Sequence, residues 1–246
     1  MKNRWIIGGS CTGKTEKLVQ ALQFWLEQKK QIKKSNFSTD KSSLLILAAN
    51  NTNRQALVER LAAASGGAYP VVCKTPLGFI MDEVKLFWPI LFDLLELKAQ
   101  FPLLLRPETE QDLATHLWRE EADWEVLIQS EGEYKFVRQT LDLLQLAGAA
   151  GIAPKDIAYM LETGMPERDS QLELVLTSSI AQRRGEILLK WRKWCLERGL
   201  LTYGIILELY WRYLLPHPSY QNHLINRYAG ILADDLDNYP AIMKDL

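Results

Sequence analysis

The chain has 246 residues, of which 48% are hydrophobic and 24% charged, and its formal net charge is −1. This is the composition of an ordinary globular protein, and the length suits one large domain or a core with one inserted subdomain. The overall charge of the chain therefore does not predict binding to nucleic acid or to membranes. A local basic groove is compatible with this near-zero total, because binding responds to the field of a patch. Three cysteines and three histidines without metal-ligand spacing argue against a zinc site and a disulfide framework.

No segment of the sequence predicts secretion or membrane insertion. Residues 1–8 are too short and too polar for a signal peptide. Residues 86–97 form the most apolar stretch, but Pro89 and Asp93 interrupt it and it is too short to cross a bilayer. We therefore expect a soluble cytoplasmic protein without a membrane partner, whose free thiols suit a reducing compartment.

The first third of the chain predicts alternating strands and helices. An apolar strand at residues 5–7 leads into glycines, and a helix over residues 15–27 follows with Leu18, Leu22 and Leu26 on one stripe. A polar loop at residues 29–43, a strand at 44–48, a helix at 53–64 and a short strand at 71–73 come next. This alternation favours a parallel α/β sheet.

Residues 79–215 lose the strand signals and predict helices only. The longest helix is expected over residues 170–198, with Gly199 as its stop, and another over residues 203–215. An apolar strand then returns at residues 229–233 and ends in three acids, Asp234, Asp235 and Asp237. A long helical stretch thus separates two pieces of one predicted sheet.

The first chemical motif is a glycine-rich loop that opens a helix. Residues 8–15 fit G-x-x-x-x-G-K-[ST], in which loop N–H groups and the helix N-terminus point at phosphate oxygens. In this pattern Lys14 reaches the β- and γ-phosphates and the Thr15 hydroxyl joins the shell of a Mg²⁺ ion. The alternative is a chance glycine turn, but the flanking strand and amphipathic helix favour binding of ATP with Mg²⁺. The predicted nucleotide-binding residues are Gly8, Gly9, Ser10, Cys11, Thr12, Gly13, Lys14 and Thr15.

The second motif is the acidic end of the last predicted strand. Asp234 can hold Mg²⁺ together with Thr15, and Asp235 can orient an attacking water as the candidate catalytic acid. Lys14 completes the predicted catalytic pair through its contact with phosphate. The alternative is an acidic surface turn, which the company of the glycine-rich loop makes the weaker interpretation.

Four segments follow one another in an order that carries a family resemblance. They are residues 8–15, residues 47–61, residues 75–79 with a T-x-x-x-F pattern, and residues 201–203 followed by 226–235. They resemble motifs I, Ia, Ib and II of the first motor domain of UvrD/Rep/PcrA-type superfamily 1 DNA helicases. The resemblance spans nearly the whole chain and implies a RecA-like ATPase domain that acts on single-stranded DNA in repair or recombination. It also implies that Asn50, Asn51 and Thr75 touch the DNA strand.

The chain departs from the family pattern in the acidic motif and at both ends. The family reads D-E-x-Q-D, whereas Asp235 is a shorter second acid and Asp237 stands at the glutamine position. The glutamine motif that precedes motif I has no room, and the sequence stops after motif II, before motif III and the second motor domain. In the family the motif III strand lies between the strands of motifs I and II. We therefore expect a fragment or truncated homologue that needs a second motor domain or a partner chain for hydrolysis and does not unwind DNA alone.

These observations predict an α/β fold: a P-loop NTPase core with a parallel sheet and a large all-helical insertion. The core, RecA-like and incomplete, is assigned to residues 1–79 and 216–246, and the helical inserted subdomain to residues 80–215. Two other functions stay open. A small-molecule or nucleotide kinase would need an arginine-bearing lid, for which Arg212 and Arg227 are the late candidates. A non-catalytic scaffold module would bind nucleotide or DNA without turnover.

One predicted helix is rich in cations and tryptophans. Cations interleaved with aromatic rings suit single-stranded nucleic acid, but a solvated helix face with its tryptophans in the core is the favoured interpretation. The residues concerned are Arg183, Arg184, Lys190, Trp191, Arg192, Lys193, Trp194 and Arg198.

Overall fold

The computed structural model describes residues 6–9, 12–35, 43–65, 71–164 and 171–246 of the chain. Their structure is mixed α/β, with many helices and a small parallel sheet. The helices are α1 Lys14–Ser35, α2 Asn51–Ser65, α3 Pro76–Leu86, α4 Trp88–Leu94, α5 Pro107–Trp118, α6 Trp124–Ile128, α7 Glu133–Ala150, α8 Ile157–Thr163, α9 Gln171–Glu197, α10 Tyr203–Leu209 and α11 Pro218–Arg227. The strands are β1 Ser43–Ala48, β2 Val71–Lys74, β3 Leu103–Leu104, β4 Leu200–Leu201 and β5 Tyr228–Asp234.

The chain divides into two compact units. The first comprises Met1–Phe79 with Pro218–Tyr239, and the second comprises Ile80–His217 with Pro240–Leu246. Residues 216–217 and 240–246, which the sequence assigned to the core, group with the helices in this division. That the helical unit is an insertion into a nucleotide-binding domain stays a prediction. Among the described helices, none combines the length and the apolar character needed to cross a bilayer.

The first unit contains a three-stranded parallel sheet in the order β2–β1–β5. In its register Ile46 lies opposite Cys73 on one side and Leu232 on the other, and Ala48 lies opposite Asp234. The central strand β1 is buried from its second residue to its last, as expected of a parallel strand that is covered on both faces. Because all three strands are parallel, their carboxyl ends meet at one edge of the sheet.

The amphipathic stripe of α1 supplies much of the core in this unit. Leu18, Leu22 and Leu26 are all buried, and they cluster with β1 and with Leu57 and Leu61 of α2. Each such leucine contributes roughly 1.5–3 kcal/mol relative to an exposed side chain. The predicted stripe is thereby confirmed, and it anchors the helix whose first turn carries Lys14 and Thr15.

Two expectations for the first unit were wrong. Ile6 and Ile7, the described part of the predicted first strand, lie in no strand, and the Ile7 side chain is 92% exposed. The predicted polar loop at residues 29–43 is helical through Ser35, because lysine and glutamine are good helix formers and residues 29–35 contain neither glycine nor proline. Trp5 and residues 36–42 lie outside the described residues.

The second unit is built on close packing of α7 against α10. Val137, Leu141 and Leu144 of α7 are buried as predicted. A Cβ atom on Gly204 would lie 2.8 Å from the backbone of Leu144, so only glycine permits this approach of the two helices. Residues of α9 complete the core, among them Ile187 and the fully buried Trp191.

The all-helical prediction for this unit was incomplete. Strands β3 and β4 form a short parallel pair, in which Leu103 lies opposite Leu200. The predicted helix over residues 203–215 ends its α-helical part at Leu209 and continues as a π-helical turn, Tyr210–Leu214. Two-residue strands carry no readable periodicity, and the π-helical turn covers only five residues at the end of an apolar helix, so neither left a signal in the sequence. Gly199 does end the long helix, with φ at +68°.

A carboxyl group is buried in the second unit. Glu110 of α5 is 6% exposed, and burial raises its pKa to about 7, although the nearby Arg138 and a hydrogen bond with Thr202 oppose this shift. The folded-state pKa therefore lies above the ordinary value of 4.5. A group with a raised folded-state pKa stabilises the protein below its unfolded pKa, and this stabilisation is lost as pH rises through the folded pKa.

We predict that Glu110→Gln removes a pH-dependent part of the stability. Relative to this variant, the parent should lose on the order of 3 kcal/mol of its free energy of unfolding between pH about 4.5 and pH about 7. Urea unfolding across that range measures the difference, with the exposed Glu108→Gln on the same helix as control. A parent and a Glu110→Gln variant whose stabilities change in parallel with pH would contradict the prediction.

Candidate functional site

Two predicted motifs from opposite ends of the sequence meet at the carboxyl edge of the sheet. The Thr15 hydroxyl, in the first turn of α1, donates to the carboxylate of Asp234 at the end of β5, with distances of 3.0 Å to Oδ2 and 3.3 Å to Oδ1. The two residues are 219 positions apart in the sequence. The parallel pairing of β5 with β1 is what brings Asp234 to this edge.

The electrostatic surroundings of Asp234 suit a bound cation. Burial raises the pKa of Asp234, the hydrogen bond from Thr15 lowers it, and the neighbouring charge of Asp235 raises it again. The net effect is a raised pKa, which means that the ionised carboxylate lacks full compensation at this position. A positive ion next to Asp234 would supply the missing compensation.

The backbone of Asp235 has a left-handed conformation, with φ at 55° and ψ at 48°. This region is unfavourable for residues other than glycine, although aspartate and asparagine enter it more readily than most. The Asp235 Oδ2 atom accepts a hydrogen bond of 3.3 Å from Nδ2 of Asn53 in the first turn of α2. The chain therefore leaves the direction of β5 at Asp235, and the Asp235 side chain is bonded to a residue of α2.

The glycine-rich loop is described at Gly8, Gly9, Thr12 and Gly13, while Ser10 and Cys11 lie outside the described residues. The Thr12 hydroxyl donates to the Gly9 carbonyl at 2.9 Å, and a Cβ atom on Gly8 would lie 2.6 Å from the Thr12 hydroxyl oxygen. Gly13 has φ at +78°, a value that favours glycine immediately before α1. Gly13 therefore needs the conformational freedom of glycine, and a side chain at Gly8 would displace the Thr12 hydroxyl.

The Lys14 amine is directed back onto this loop. Its Nζ atom donates to the carbonyl oxygens of Gly8 at 3.0 Å and Gly9 at 2.8 Å. Both acceptors are neutral, so a negatively charged phosphate oxygen would attract the ammonium group more strongly than they do. Lys14 is thus a cation held close to the loop by contacts that a phosphate would outcompete.

The residues at this edge fit Mg²⁺ and a phosphate chain. Thr15, Asp234 and Asp235 offer hydroxyl and carboxylate oxygens, which are the hard ligands that Mg²⁺ prefers. Proteins commonly hold Mg²⁺ through one or two carboxylates, with water and substrate phosphates as the other ligands. Lys14 and the start of α1 provide the positive charge that phosphate needs.

Two of the three predicted DNA contacts act as helix caps. Asn50 Oδ1 accepts from the backbone N–H of Asn53 at 2.8 Å at the start of α2, and Thr75 Oγ1 accepts from that of Gly78 at 3.2 Å at the start of α3. The side chain of Asn51 instead accepts from Nε of Arg54 at 3.4 Å. All three follow β1 or β2 and lie at the carboxyl edge of the sheet. Contact of these residues with DNA stays a prediction.

Two residues of the site were not among the site residues predicted from the sequence. Asn53 bonds Asp235, and the Tyr239 hydroxyl donates to the backbone carbonyl of Asp234 at 2.7 Å. Burial raises the pKa of Tyr239, so this hydroxyl stays a donor. The only sequence signal for Asn53 is its place three residues after a capping asparagine, and Tyr239 has none. Asp237, which stands at the glutamine position of the family pattern, is exposed in a 3₁₀ turn.

Most cations of α9 in the second unit are bonded to carboxylates. Arg183 bonds Asp123, Glu121 and Glu186, Lys190 bonds Glu121, Arg184 bonds Glu131, and Arg192 bonds Glu208. Trp191 is buried, and Arg198 lies over the Trp194 ring at 4.4 Å from its centroid. These contacts support a structural role for the cations and tryptophans of the helix.

Comparison of the sequence with protein-family models and with curated proteins finds no match. The chemistry of the site is therefore inferred from its own residues. A buried carboxylate, a second carboxylate, a hydroxyl and an amine converge where a helix begins and a strand ends. This arrangement can bind a divalent cation together with an anionic, phosphate-bearing ligand.

We predict that Asn50 contributes to stability through its helix cap. Asn50→Ala should lower the free energy of unfolding by about 1 kcal/mol, because the backbone N–H of Asn53 loses its acceptor. Asn51→Ala, next to it and exposed, should change stability by less than about 0.5 kcal/mol. Urea unfolding of both variants measures the difference, and equal stabilities would show that the cap contributes nothing.

Proposed function

We propose that the chain binds ATP with Mg²⁺ at the edge formed by the glycine-rich loop, the start of α1 and the end of β5. The observation that carries this proposal is the hydrogen bond between Thr15 and Asp234. The two residues were selected from separate motifs for the same metal, and a chance glycine turn would not require them to meet. Their side chains offer neighbouring oxygen ligands to one cation.

Each residue has a role that follows from its contacts. Gly8, Gly9 and Gly13 allow the loop to turn closely, and Lys14 exchanges its bonds with loop carbonyls for bonds with phosphate. Thr15 and Asp234 hold the metal, and Asp235 accepts a proton from, or orients, the attacking water. Mg²⁺, when bound, neutralises charge that develops on the phosphate oxygens.

The wider proposal is a superfamily 1 helicase-like ATPase that acts on single-stranded DNA in repair or recombination. It is supported by the order of the four motifs and by the common edge at which the residues following β1, β2 and β5 lie. Residues 80–215 would be the inserted helical subdomain of such a protein. Its proposed partners are single-stranded DNA and a second motor domain or partner chain, in the cytoplasm.

The contacts of α9 direct the DNA proposal to the sheet edge. Since Arg183, Arg184, Lys190 and Arg192 are bonded to carboxylates, releasing them for phosphate would break existing ion pairs. The proposed DNA contacts are therefore Asn50, Asn51 and Thr75. Asn50 and Thr75 would each cap a helix through the side-chain oxygen, while other atoms of the same turn contact DNA.

A non-catalytic nucleotide-binding scaffold is the second candidate. It is favoured by Asp235, whose side chain is shorter than the glutamate of the family pattern, and by the exposed Asp237, which stands at the glutamine position of that pattern. The kinase alternative gains no such support. Its two late arginines are both engaged, since Arg212 bonds the buried Glu208 and Arg227 lies over the Tyr228 ring.

We predict that Lys14→Ala weakens Mg·ATP binding about 10- to 100-fold, because a charged hydrogen-bond donor to phosphate contributes roughly 1.5–3 kcal/mol. Lys17→Ala, an exposed lysine on the same helix, should leave affinity unchanged within about twofold. Titration with a fluorescent ATP analogue, followed by calorimetry with ATP itself, measures both affinities. Equal affinity of the parent and Lys14→Ala would reject the proposed site.

Turnover separates the two candidate functions. Mg·ATP hydrolysis by the parent chain that increases with single-stranded DNA, and is lost in Asp235→Asn, would support the motor. Binding that depends on Lys14 without turnover, with or without DNA, would support either the scaffold or a helicase fragment that needs a second motor domain for hydrolysis. The measurement is phosphate release at saturating ATP, with Asp237→Asn as the matched control for a neighbouring exposed acid.

A further inference from the structure

The geometry points to Asn53 as a positioning residue that holds the carboxylate of Asp235 in the orientation needed for ATP hydrolysis. This inference rests on the proposed function and extends it to a residue that was not among the predicted site residues. The bond concerned joins Asn53 Nδ2 to Asp235 Oδ2 at 3.3 Å, between residues 182 positions apart. Asn53 would act through Asp235 and touch neither nucleotide nor metal.

Asn53 stands on a firm base. Its backbone N–H donates to Asn50 Oδ1 at 2.8 Å, which fixes the first turn of α2. That helix follows directly after β1, the buried central strand, and β1 pairs with β5, which ends at Asp234. The donor and the acceptor therefore follow closely after neighbouring strands of one sheet, an arrangement that suits precise orientation better than two long loops would.

Asp235 needs a partner of this kind because its own conformation is unfavourable. A left-handed backbone is unfavourable at most residues other than glycine and persists only where surrounding contacts support it. One support is the Tyr239 hydroxyl on the carbonyl of Asp234, which fixes the backbone before the turn. A second is the backbone N–H of Asn238, which donates to the Asp235 carbonyl at 3.0 Å, and a third is Asn53, which fixes the Asp235 side chain.

The two neighbouring acids also accept hydrogen bonds from different donors. The carboxylate of Asp234 is bonded by the Thr15 hydroxyl and that of Asp235 by the Asn53 amide, so each acid has its own donor. The Asn53 amide is a neutral donor, so it orients the Asp235 carboxylate and leaves its negative charge in place. An arginine or a lysine would neutralise that charge. The second oxygen of Asp235 then stays available for a water at the phosphate.

The test compares three variants of α2. Asn53→Ala removes the donor, whereas Asn53→Asp keeps size and shape but replaces the donor with a carboxylate facing Asp235. Gln55→Ala, an exposed amide on the same helix, is the control. Asn53→Ala should lower kcat about 10- to 100-fold, as loss of a supporting hydrogen bond at a catalytic group typically does, with KM for ATP within about twofold.

Asn53→Asp should lower kcat further than Asn53→Ala, since like charges repel at this distance. A residue that only filled space would give the opposite order, because Asp matches Asn in size. Gln55→Ala should match the parent. Thermal unfolding monitored by circular dichroism shows which variants are folded, and the isosteric Asn53→Asp keeps the test usable if Asn53→Ala is not.

A chain that binds ATP without measurable turnover is tested through a transition-state mimic. The ratio of affinities for ADP–aluminium fluoride and for ATP should then fall about 10-fold or more in Asn53→Ala and Asn53→Asp. Parental kcat, or a parental ratio, in both variants would overturn the role of Asn53 while leaving ATP binding in place. Absence of Mg·ATP binding by the parent chain would reject the proposed function and the role of Asn53 together.

Discussion

The parallel pairing of β1 with β5 is the interaction on which the rest of the candidate site depends. It sets Ala48 opposite Asp234, so that the helix after β1 and the acids after β5 begin at the same edge. Because β1 is buried along nearly its whole length, its hydrogen bonds to both neighbours lie away from water, where an unpaired backbone group is costly. A one-residue slip of β5 would turn Asp234 to the opposite face of the sheet and away from Thr15.

This pairing joins two segments that are distant along the chain. Between β2 and β5 lie all the residues of the second unit except Pro240–Leu246. Closing a connection of that length costs little more than closing a shorter one, since the entropy of loop closure grows only with the logarithm of length. The helical unit also contains its own core, with residues such as Trp191 and Ile205 fully buried, and its folding therefore offsets its own conformational entropy.

The sequence predicted the site where the chemistry is local and missed it where contacts are tertiary. Gly13 and Lys14 follow from the spacing of one loop, and Asp234 follows from an apolar run that ends in acids. Asn53 could be identified only by knowing that β5 lies beside β1, and Tyr239 only from the path of the chain beyond β5. The same limit explains β3 and β4, which are too short for periodicity, and the end of α1, where helix propensity outweighed a polar composition that is typical of loops.

On the proposed function, the charges at the sheet edge would join metal and nucleotide in one binding event. Asp234 and Asp235 are adjacent acids, and each raises the cost of a further negative charge nearby. Lys14 is the amine bonded to the loop. Its single positive charge does not offset the combined negative charge of a triphosphate and two carboxylates. A divalent cation between the acids and the phosphates changes this balance from repulsion to attraction, because both sides then share the same positive charge. The raised pKa of Asp234 and the bonds of Lys14 to neutral carbonyl oxygens both fit that arrangement. On the proposed function, the protein supplies the ligands, Mg²⁺ supplies positive charge beside Asp234, and the phosphates supply negative charge beside Lys14.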